Sequence, residues 1–270
     1  MHAREFAWAD SDFTKVQELI YKRAGISLHD GKHAMVYSRL SRRLRETRCN
    51  SFKEYLRQLE NADCGEWQEF INALTTNLTS FFREQHHFHL LHDYLLNNRQ
   101  RKNWRIWCSA ASTGEEPYSI MMTMVRTLEV NAGFSLIASD IDSKVLKLAS
   151  QGVYRLDDLK NLESTDLRFF FDRGKGQNSG MVRVKPEFKN RIEFMPINLI
   201  QNNWPFKEAF DIVFCRNVMI YFDNATQRAV LERIHRVMVP GGLLFVGHAE
   251  NFSESKDIFT LKGKTVYERR

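Results

Sequence analysis

The chain has 270 residues, of which 43% are hydrophobic and 27% are charged, the composition of an ordinary globular protein. It contains no run of about 20 apolar residues that could cross a bilayer, and its first segment lacks the apolar core of a signal peptide. Its four cysteines form no C-x-x-C pair, and the H-H-F-H cluster lacks a cysteine or acidic ligand at useful spacing, so no metal site is expected. These features exclude a disulfide scaffold and a membrane-inserted protein, and they predict a cytoplasmic chain with two domains.

Residues 11 to 74 predict a small bundle of four amphipathic helices. Apolar residues recur at helical spacing in each of the four segments, and the first stripe stops at Gly25. Ser51 and Glu54 have the spacing of a capping box before the third helix. We therefore assign residues 1–75 to a helical domain and residues 76–270 to a second domain.

The second predicted helix carries much of the net charge of +6. Between residues 31 and 50, six cations accompany a single acid, Glu46. Four arginines lie opposite or beside the apolar stripe of this helix: Arg39, Arg42, Arg43 and Arg45. A solvated helix face and a binding face for an acidic partner both explain this pattern. Arginine favours the second explanation because its planar fork holds carboxylates and phosphates.

From about residue 104 the pattern changes to strands that alternate with helices. Five apolar runs have strand length: W-R-I-W-C-S, F-S-L-I-A-S-D, R-I-E-F-M-P-I-N, F-D-I-V-F-C-R-N and G-G-L-L-F-V-G-H. Helical patterns occupy residues 116–129, 142–151 and 225–238. Buried parallel strands with covering helices predict a doubly wound α/β sheet.

One segment, residues 166–192, interrupts this alternation. Three glycines, Gly174, Gly176 and Gly180, lie between an aromatic run and an alternating Met-Val-Arg-Val stretch. We expect an inserted antiparallel β-subdomain in which these glycines supply turns or a bulge. A phosphate loop is not expected, because no helix follows the glycines.

Polar residues follow the predicted strands at the points where the strands end. Ligands of open α/β sheets bind at these carboxyl ends. The ends carry Ala111 in a run of small residues before Glu115 and Glu116, then Asp140, then Asn198 with Leu199, and then Cys215-Arg216-Asn217 with Tyr221. A carboxylate at Asp140 accepts ribose hydroxyl protons, and an amide beside an apolar wall suits an adenine edge. The set therefore predicts a ligand that contains adenosine.

The helix that begins after the first strand narrows the choice of ligand. A pyrophosphate favours G-x-G-x-x-G and a helix start free of acids, whereas Glu115 and Glu116 stand here. These glutamates repel phosphate but accept hydrogen bonds from an ammonium group. S-adenosylmethionine, which has a positive amino acid tail, therefore fits better. The alternative is that both acids only complement the helix dipole.

Six motifs follow one another along the chain: T-T-N-L-T-S-F-F-R-E-Q-H-H-F, S-T-G-E-E-P-Y-S, A-S-D-I-D, G-V-Y-R, C-R-N-V-M-I-Y-F-D and P-G-G-L-L-F-V-G-H-A-E. In this order they resemble the CheR family, the bacterial chemotaxis receptor glutamate O-methyltransferases. The resemblance implies a doubly wound class I methyltransferase (Rossmann-like) sheet. It also implies methyl transfer from S-adenosylmethionine to glutamate side chains of a receptor's cytoplasmic helical bundle, with S-adenosylhomocysteine as the second product.

The resemblance further implies roles for individual residues. The family's cofactor contacts fall on Asn77, Thr79, Arg83, one of Glu115 and Glu116, Asp140, Asn198, Leu199 and the Cys215-Arg216-Asn217 turn. Arg83 and Tyr221 match positions at the reaction centre. A glutamate is already ionised at neutral pH, so the reaction needs alignment and no general base. We expect Arg83 to orient the carboxylate and Tyr221 to line the methyl-transfer pocket; the alternative for Tyr221 is a core aromatic.

The expected partner is the cytoplasmic domain of a chemoreceptor. Its methylation helices are acidic, so the helical domain would hold them through Arg39, Arg42, Arg43 and Arg45. The loop with Gly174, Gly176 and Gly180 resembles the one on which some family members dock a receptor's C-terminal pentapeptide by strand addition. We expect a monomer that is recruited from the cytoplasm to membrane receptor arrays and binds no nucleic acid.

Two rival functions compete with this one. A nucleic-acid methyltransferase suits the pI near 9.1, but the fourth strand ends in C-R-N-V-M-I-Y where amino-group base methylases have an Asn/Asp-Pro-Pro-aromatic turn. The second rival is a signalling adaptor that binds the cofactor without catalysis. Against it stand intact residues at the positions implied for cofactor and reaction: Asn77, Thr79, Arg83, Asp140 and Tyr221.

Overall fold

The N-terminal part of the chain is a helical bundle, as predicted. The computed structural model describes residues 4–61, 64–128, 133–252 and 255–270. The bundle contains α1 (Asp10–Ala24), α2 (His33–Thr47), α3 (Phe52–Gln58) and α4 (Trp67–Leu74). Helix α1 ends at Gly25, which takes a left-handed backbone with φ 71°. The side chain of Ser51 caps α3 by accepting the backbone N–H of Glu54 at 3.2 Å. Buried side chains from all four helices form one core, among them Phe13, Ile20, Leu40, Tyr55 and Phe70.

The rest of the chain is built on two sheets whose strands are numbered along the sequence: β1 (Trp104–Cys108), β2 (Phe134–Asp140), β3 (Val153–Arg155), β4 (Phe171–Arg173), β5 (Met181–Val184), β6 (Ile192–Pro196), β7 (Phe210–Cys215), β8 (Met238–Val246), β9 (Phe259–Gly263) and β10 (Val266–Arg269). Within the described residues, seven strands form a large sheet in the order β6-β2-β1-β7-β8-β10-β9. The strands from β6 to β8 pair in parallel, and β10 is antiparallel to both of its neighbours. The predicted doubly wound sheet is confirmed, and the hairpin of β9 and β10 adds to it.

Helices cover both faces of the large sheet. They are α5 (His86–Asn97), α6 (Glu115–Leu128), α7 (Ser143–Gln151) and α10 (Asn224–Arg236), while the short helices α8 (Ser164–Phe170) and α9 (Pro186–Lys189) flank the strands of the small sheet. Ile106 of β1 belongs to a core with Leu91 of α5, whereas its neighbour Trp107 belongs to a second core with Ile234 of α10. Successive strand side chains point to opposite faces, so β1 is buried on both. The helix predicted over residues 116–129 begins at Glu115, and residue 129 lies outside the described ranges. Among the helices so described, none is long and apolar enough to span a bilayer.

The predicted inserted β-subdomain is a small antiparallel sheet in the order β3-β5-β4. Its hairpin joins β4 to β5 through the loop that contains the three glycines. A Cβ at Gly174 would collide with the carbonyl oxygen of Asn178, and Gly176 and Gly180 have φ of 60° and 83°. The third strand, β3, precedes residue 166, so the sheet extends beyond the segment predicted at 166–192.

The helical bundle packs against the carboxyl edge of the large sheet. The hydroxyl of Tyr21 donates to Oδ2 of Asp223 at 2.7 Å, and the backbone N–H of Ser27 donates to the carbonyl of Tyr221 at 2.8 Å. A Cβ at Gly25 would lie 2.5 Å from a methyl group of Ile200. The two parts of the chain therefore meet closely where the strands end.

Candidate active site

A cavity of about 330 Å³ lies at the ends of β1, β2 and β7, and the helical bundle closes its other side. Ten of the predicted site residues line it: Asn77, Thr79, Arg83, Glu116, Asp140, Asn198, Leu199, Arg216, Asn217 and Tyr221. The strand-end rule therefore points to one place in the fold, although these residues are spread over 145 positions (77 to 221).

Three predicted cofactor contacts lie outside the cavity lining. Ala111 and Cys215 are fully buried, and burial raises the pKa of the Cys215 thiol. The carboxylate of Glu115 accepts a hydrogen bond from the hydroxyl of Thr113 at 2.7 Å. Neighbouring residues on a helix point in different directions, so only Glu116 of the two glutamates faces the cavity.

Two backbone N–H groups hold the carboxylate of Asp140 at the end of β2. Its Oδ2 accepts from Ser112 at 2.8 Å, and its Oδ1 accepts from Asp142 at 3.0 Å. Asp140 is 8% exposed, and this burial raises the pKa of its carboxyl to about 6, although the backbone hydrogen bonds act in the opposite direction. At neutral pH the group is thus an anion with lone pairs left for a hydroxyl donor.

A buried arginine, Arg216, follows β7 in the cavity lining and joins Glu116 of the same lining to Glu84. Nη1 of Arg216 donates to Oε2 of Glu116 at 2.8 Å, and Nη2 lies 3.6 Å from Oε2 of Glu84. The side chain of Arg216 is 0% exposed. Burial raises the pKa of Glu116, and the charge of Arg216 opposes that shift. One cation thus faces two acids here, and the cavity lining also contains Asp140 and the cations Lys32 and Arg83.

The segment between α4 and α5 carries Asn77, Thr79 and Arg83 along the cavity. Nδ2 of Asn77 donates to Oδ2 of Asp142 at 2.9 Å, and the carbonyl of Asn77 accepts from the hydroxyl of Ser112 at 3.0 Å. Since Asp142 also binds the N–H groups that begin α7, the segment is fastened to the same turn that holds Asp140.

The backbone around Arg83 is strained. Its neighbours Phe82 and Glu84 have φ of 52° and 55°, a region that side chains normally avoid. The N–H of Phe82 donates to the hydroxyl of Ser119 at 2.9 Å, and the carbonyl of Arg83 accepts from Arg216. Surrounding contacts thus hold Arg83 in one position on the cavity wall.

Glu84 is a site residue that the sequence prediction missed. Its carboxylate accepts the backbone N–H of His248 at 3.1 Å and Nδ2 of Asn217 at 3.3 Å. These bonds fasten the segment that carries Arg83 to the ends of β7 and β8. An acid directly after Arg83 was visible in the sequence, but its partners lie 133 and 164 residues away.

Asn198 and Tyr221 connect the cavity to the helical bundle. Nδ2 of Asn198 donates to the carbonyl of Arg23 at 2.8 Å, so the amide predicted for an adenine edge already has one partner. The ring of Tyr221 lines the cavity and also packs against the apolar cores of both domains. The pocket role and the core role proposed for Tyr221 are therefore compatible.

The bundle also supplies a cavity wall that the sequence prediction did not include. This wall consists of residues between α1 and α2 and the first turn of α2: Ser27, Leu28, His29, Lys32 and Met35. No local pattern marks them, because their place in the cavity depends on how the bundle docks on the sheet.

Two of the four arginines predicted to bind the partner instead form hydrogen bonds within the helical bundle. Arg43 forms a two-pronged hydrogen bond with Glu66 at 2.7 and 2.8 Å, and its side chain is only 11% exposed. Nη1 of Arg39 donates to the carbonyl of Thr75 at 2.6 Å. Both fasten α2 to the α4 side of the bundle, which leaves them little capacity for a partner.

The other two arginines of α2 face solvent. Arg42 is 77% exposed and pairs with Glu46 at 3.0 Å, while Arg45 is 56% exposed and pairs with Glu5 at 3.1 Å. Exposed pairs of this kind are weak and exchange readily for other partners. Of the four arginines, Arg42 and Arg45 are therefore the two whose side chains are exposed enough to meet a partner.

The histidine cluster offers a possible group of metal ligands with Glu84, His86 and His87, whose ligand atoms lie within 4.8 Å of one another. The acid of this group already faces the cation of Arg216 at 3.6 Å. Burial lowers the pKa of His87 to about 4, and its Nε2 contacts the carbonyl of Lys264 at 3.0 Å. Nε2 of His87 is thus used within the protein, whereas among the described residues its buried Nδ1 has no hydrogen-bond partner and lies 3.7 Å from Oε2 of Glu84, the acid that the sequence analysis did not associate with this cluster.

Comparisons with known proteins agree with this geometry. Residues 77–267 match the family described as CheR methyltransferase, SAM binding domain, and residues 11–75 match the CheR methyltransferase, all-alpha domain. The chain is 51% identical over 263 residues to the chemotaxis protein methyltransferase of Escherichia coli K12, covering 97% of this chain and 91% of that protein. It is 48% identical to chemotaxis protein methyltransferase 2 of Pseudomonas aeruginosa PAO1, covering 98% and 95% of the two chains. The chain belongs to the CheR methyltransferase family.

Proposed function

We propose that this chain transfers a methyl group from S-adenosylmethionine to glutamate side chains in the cytoplasmic domain of methyl-accepting chemoreceptors. The products are glutamyl methyl esters and S-adenosylhomocysteine. The observation that carries the proposal is one cavity that holds acids for a cationic cofactor, Glu116 and Asp140, together with an arginine for a carboxylate, Arg83. The names of the relatives from E. coli and P. aeruginosa support a chemotaxis substrate.

The cavity fits the cofactor in size and offers two acids to its positive groups. Its volume of about 330 Å³ lies within the range of small-molecule sites. The acids Glu116 and Asp140 lie on the sheet side of the lining, where they can face a sulfonium with an ammonium tail, and the cations Lys32 and Arg83 line the same cavity. In our proposal Asp140 holds the ribose, Glu116 holds the ammonium group, and Asn198 with Leu199 borders the adenine.

The reaction requires this chain mainly to align the substrate carboxylate with the methyl group of the cofactor. The cofactor supplies an activated methyl group and keeps the electron pair of the broken carbon–sulfur bond. Nη1 of Arg83 donates to the carbonyl of Leu78 at 2.9 Å, and no further side-chain partner of Arg83 occurs among the described residues. Its remaining N–H groups are therefore free to orient an incoming carboxylate. Good alignment contributes about 7–11 kcal/mol to such reactions.

Radiolabelled methyl transfer to a receptor cytoplasmic fragment tests the proposal. We expect label that is released as methanol in base, since carboxyl methyl esters hydrolyse while methyl groups on nitrogen remain attached. Arg83→Ala should lower kcat/KM for the fragment about 100-fold, because the carboxylate loses its orienting group. The Kd for S-adenosylhomocysteine, measured by calorimetry, separates this loss from a loss of cofactor binding.

Arg83→Lys serves as the matched variant, because it keeps the charge but loses the planar fork. It should recover part of the activity. Base-stable label would contradict the proposed reaction, and near-normal turnover of Arg83→Ala would contradict the role of that residue.

The proposed division of labour follows the two parts of the chain. Residues 1–75 would recognise the receptor through Arg42 and Arg45, which are the exposed arginines of α2. Residues 76–270 would bind the cofactor and carry out the transfer. The receptor's own location would bring the enzyme to the membrane array.

The small antiparallel sheet is the proposed site for a receptor's C-terminal pentapeptide. Its edge strands are β3 and β4, with one pairing partner each among the described strands. An extended peptide can add to such an edge through main-chain hydrogen bonds, and tethering then raises the local substrate concentration. Calorimetry with receptor tail peptides tests this, and no binding at high micromolar concentration would exclude it.

A further inference from the structure

Two large aliphatic side chains are exposed at the mouth of the cavity. Leu78 is 80% exposed and Ile220 is 50% exposed, and both belong to the cavity lining. Exposed aliphatic residues are common when single and scattered. These two differ because they border the same concave site, at segments that lie 142 positions apart in sequence (78 and 220).

The backbone of each of these residues contacts or adjoins a proposed reaction-centre residue. The carbonyl of Leu78 accepts Nη1 of Arg83 at 2.9 Å. Ile220 directly precedes Tyr221 in a short 3-10 turn. The carboxylate of Glu250 anchors this turn by accepting the N–H of Met219 at 2.8 Å. The positions of both aliphatic groups are therefore set relative to the residues that would meet the substrate carboxylate.

A glutamate side chain is short, which brings its backbone to the rim. Three carbon–carbon bonds separate Cα from the carboxyl carbon, a reach of roughly 4 Å. When the carboxylate of the target glutamate binds Arg83, the backbone of that glutamate therefore lies at the cavity mouth. On a helix, residues three or four positions away lie about 5–6 Å from it on the same face. Those neighbours must touch whatever lines the mouth.

We propose that Leu78 and Ile220 form an aliphatic rim that contacts the receptor segment on either side of the target glutamate. This inference rests on the proposed function and extends it to the choice of glutamate. The rim gains stability by covering apolar side chains of the receptor helix, whereas a charged neighbour there would lose its water. It therefore favours glutamates with apolar neighbours on the same helix face, while Arg42 and Arg45 attract acids elsewhere on the receptor.

Polar substitution at the rim tests the inference. Leu78→Ser and Ile220→Ser should each raise the KM for a receptor cytoplasmic fragment about tenfold, the effect of leaving one aliphatic side chain uncovered. The Kd for S-adenosylhomocysteine should stay within about twofold. Both positions are exposed, so the substitutions should leave the melting temperature nearly unchanged.

Leu261→Ser is the matched control, because Leu261 is 57% exposed on β9 and lies outside the cavity lining. Its KM should match that of the unaltered chain. An unchanged KM in both rim variants overturns the rim, and so does a rise that the control shares. A weaker Kd for the cofactor product overturns it as well, by assigning these residues to the cofactor. Absence of base-labile methyl transfer by the unaltered chain is a separate result that overturns the proposed function and the rim together.

Discussion

The arginine after β7 and the arginines of α2 illustrate two uses of the same side chain. Arg216 is fully buried between Glu84 and Glu116. Arg42 and Arg45 are 77% and 56% exposed, and each has a single acidic partner. A buried ion must keep its partners because water cannot replace them, whereas an exposed ion exchanges partners at little cost. The first arginine therefore belongs to the site's framework, and the others remain available to a receptor.

Arg43 shows that position on a helix does not decide between these uses. It directly follows Arg42 in the sequence, yet its side chain is only 11% exposed and is hydrogen-bonded to Glu66. The strong pairing, led by the hydrogen bond to Glu66, raises the pKa of Arg43 above its ordinary value. Some arginines of α2 thus stabilise the bundle, and others are exposed to solvent.

Removing Arg216 should produce the largest effect. Arg216→Met leaves Glu116 as a buried acid without its cation and removes one partner of Glu84, and we expect a loss of about 3–5 kcal/mol in the free energy of unfolding. Urea denaturation at pH 8 measures it. Arg42→Met, the matched exposed change, should cost no more than about 1 kcal/mol.

The loss in Arg216→Met should shrink at lower pH. Burial already raises the pKa of Glu116 and the charge of Arg216 opposes that shift, so without the arginine Glu116 relieves its cost by binding a proton, and denaturation at pH 5.5 should show a smaller difference from the unaltered chain than at pH 8. Equal losses for Arg216→Met and Arg42→Met would contradict the distinction between buried and exposed arginines.

Asp140 extends the comparison to a buried charge that a ligand should stabilise. Because burial raises its pKa to about 6 in the folded chain, ionisation of Asp140 destabilises the free protein as pH rises from about 4 through 6. In our proposal the cofactor binds the ionised form. Its Kd should therefore fall as pH rises, by close to tenfold per unit below pH 6, and level off above pH 7.

Calorimetry with S-adenosylhomocysteine at pH 5, 6 and 7.5 measures this dependence. Asp140→Asn should bind weakly and lose the part of the pH dependence that comes from Asp140, while any contribution of Glu116 remains. The same slope in both proteins would assign the pH effect to another group.

The sequence allowed prediction of those features that depend on local pattern. Strand periodicity and the rule for parallel strand ends were enough to bring Asp140, Arg216 and Tyr221 into one cavity. They failed where a side chain's role depends on a distant partner. Arg43 turns inward because of Glu66, 23 positions away, and Glu84 acts through a residue 164 positions away. Residues adjacent in the sequence do not indicate such contacts, which form only when distant parts of the chain pack together.

The smallest expected effect is that of charge reversal on the exposed face of α2. Arg42→Glu with Arg45→Glu should raise the KM for a receptor fragment about five- to tenfold at low ionic strength, because an acidic face repels acidic helices. The effect should fade at 0.5 M salt, where exposed charges are screened, and the Kd for the cofactor product should not change. Arg99→Glu with Arg236→Glu, two exposed reversals outside α2 and the cavity lining, changes the net charge equally and is the control. A KM that rises equally in the control, or that does not depend on ionic strength, would show that the exposed face of α2 does not bind the receptor.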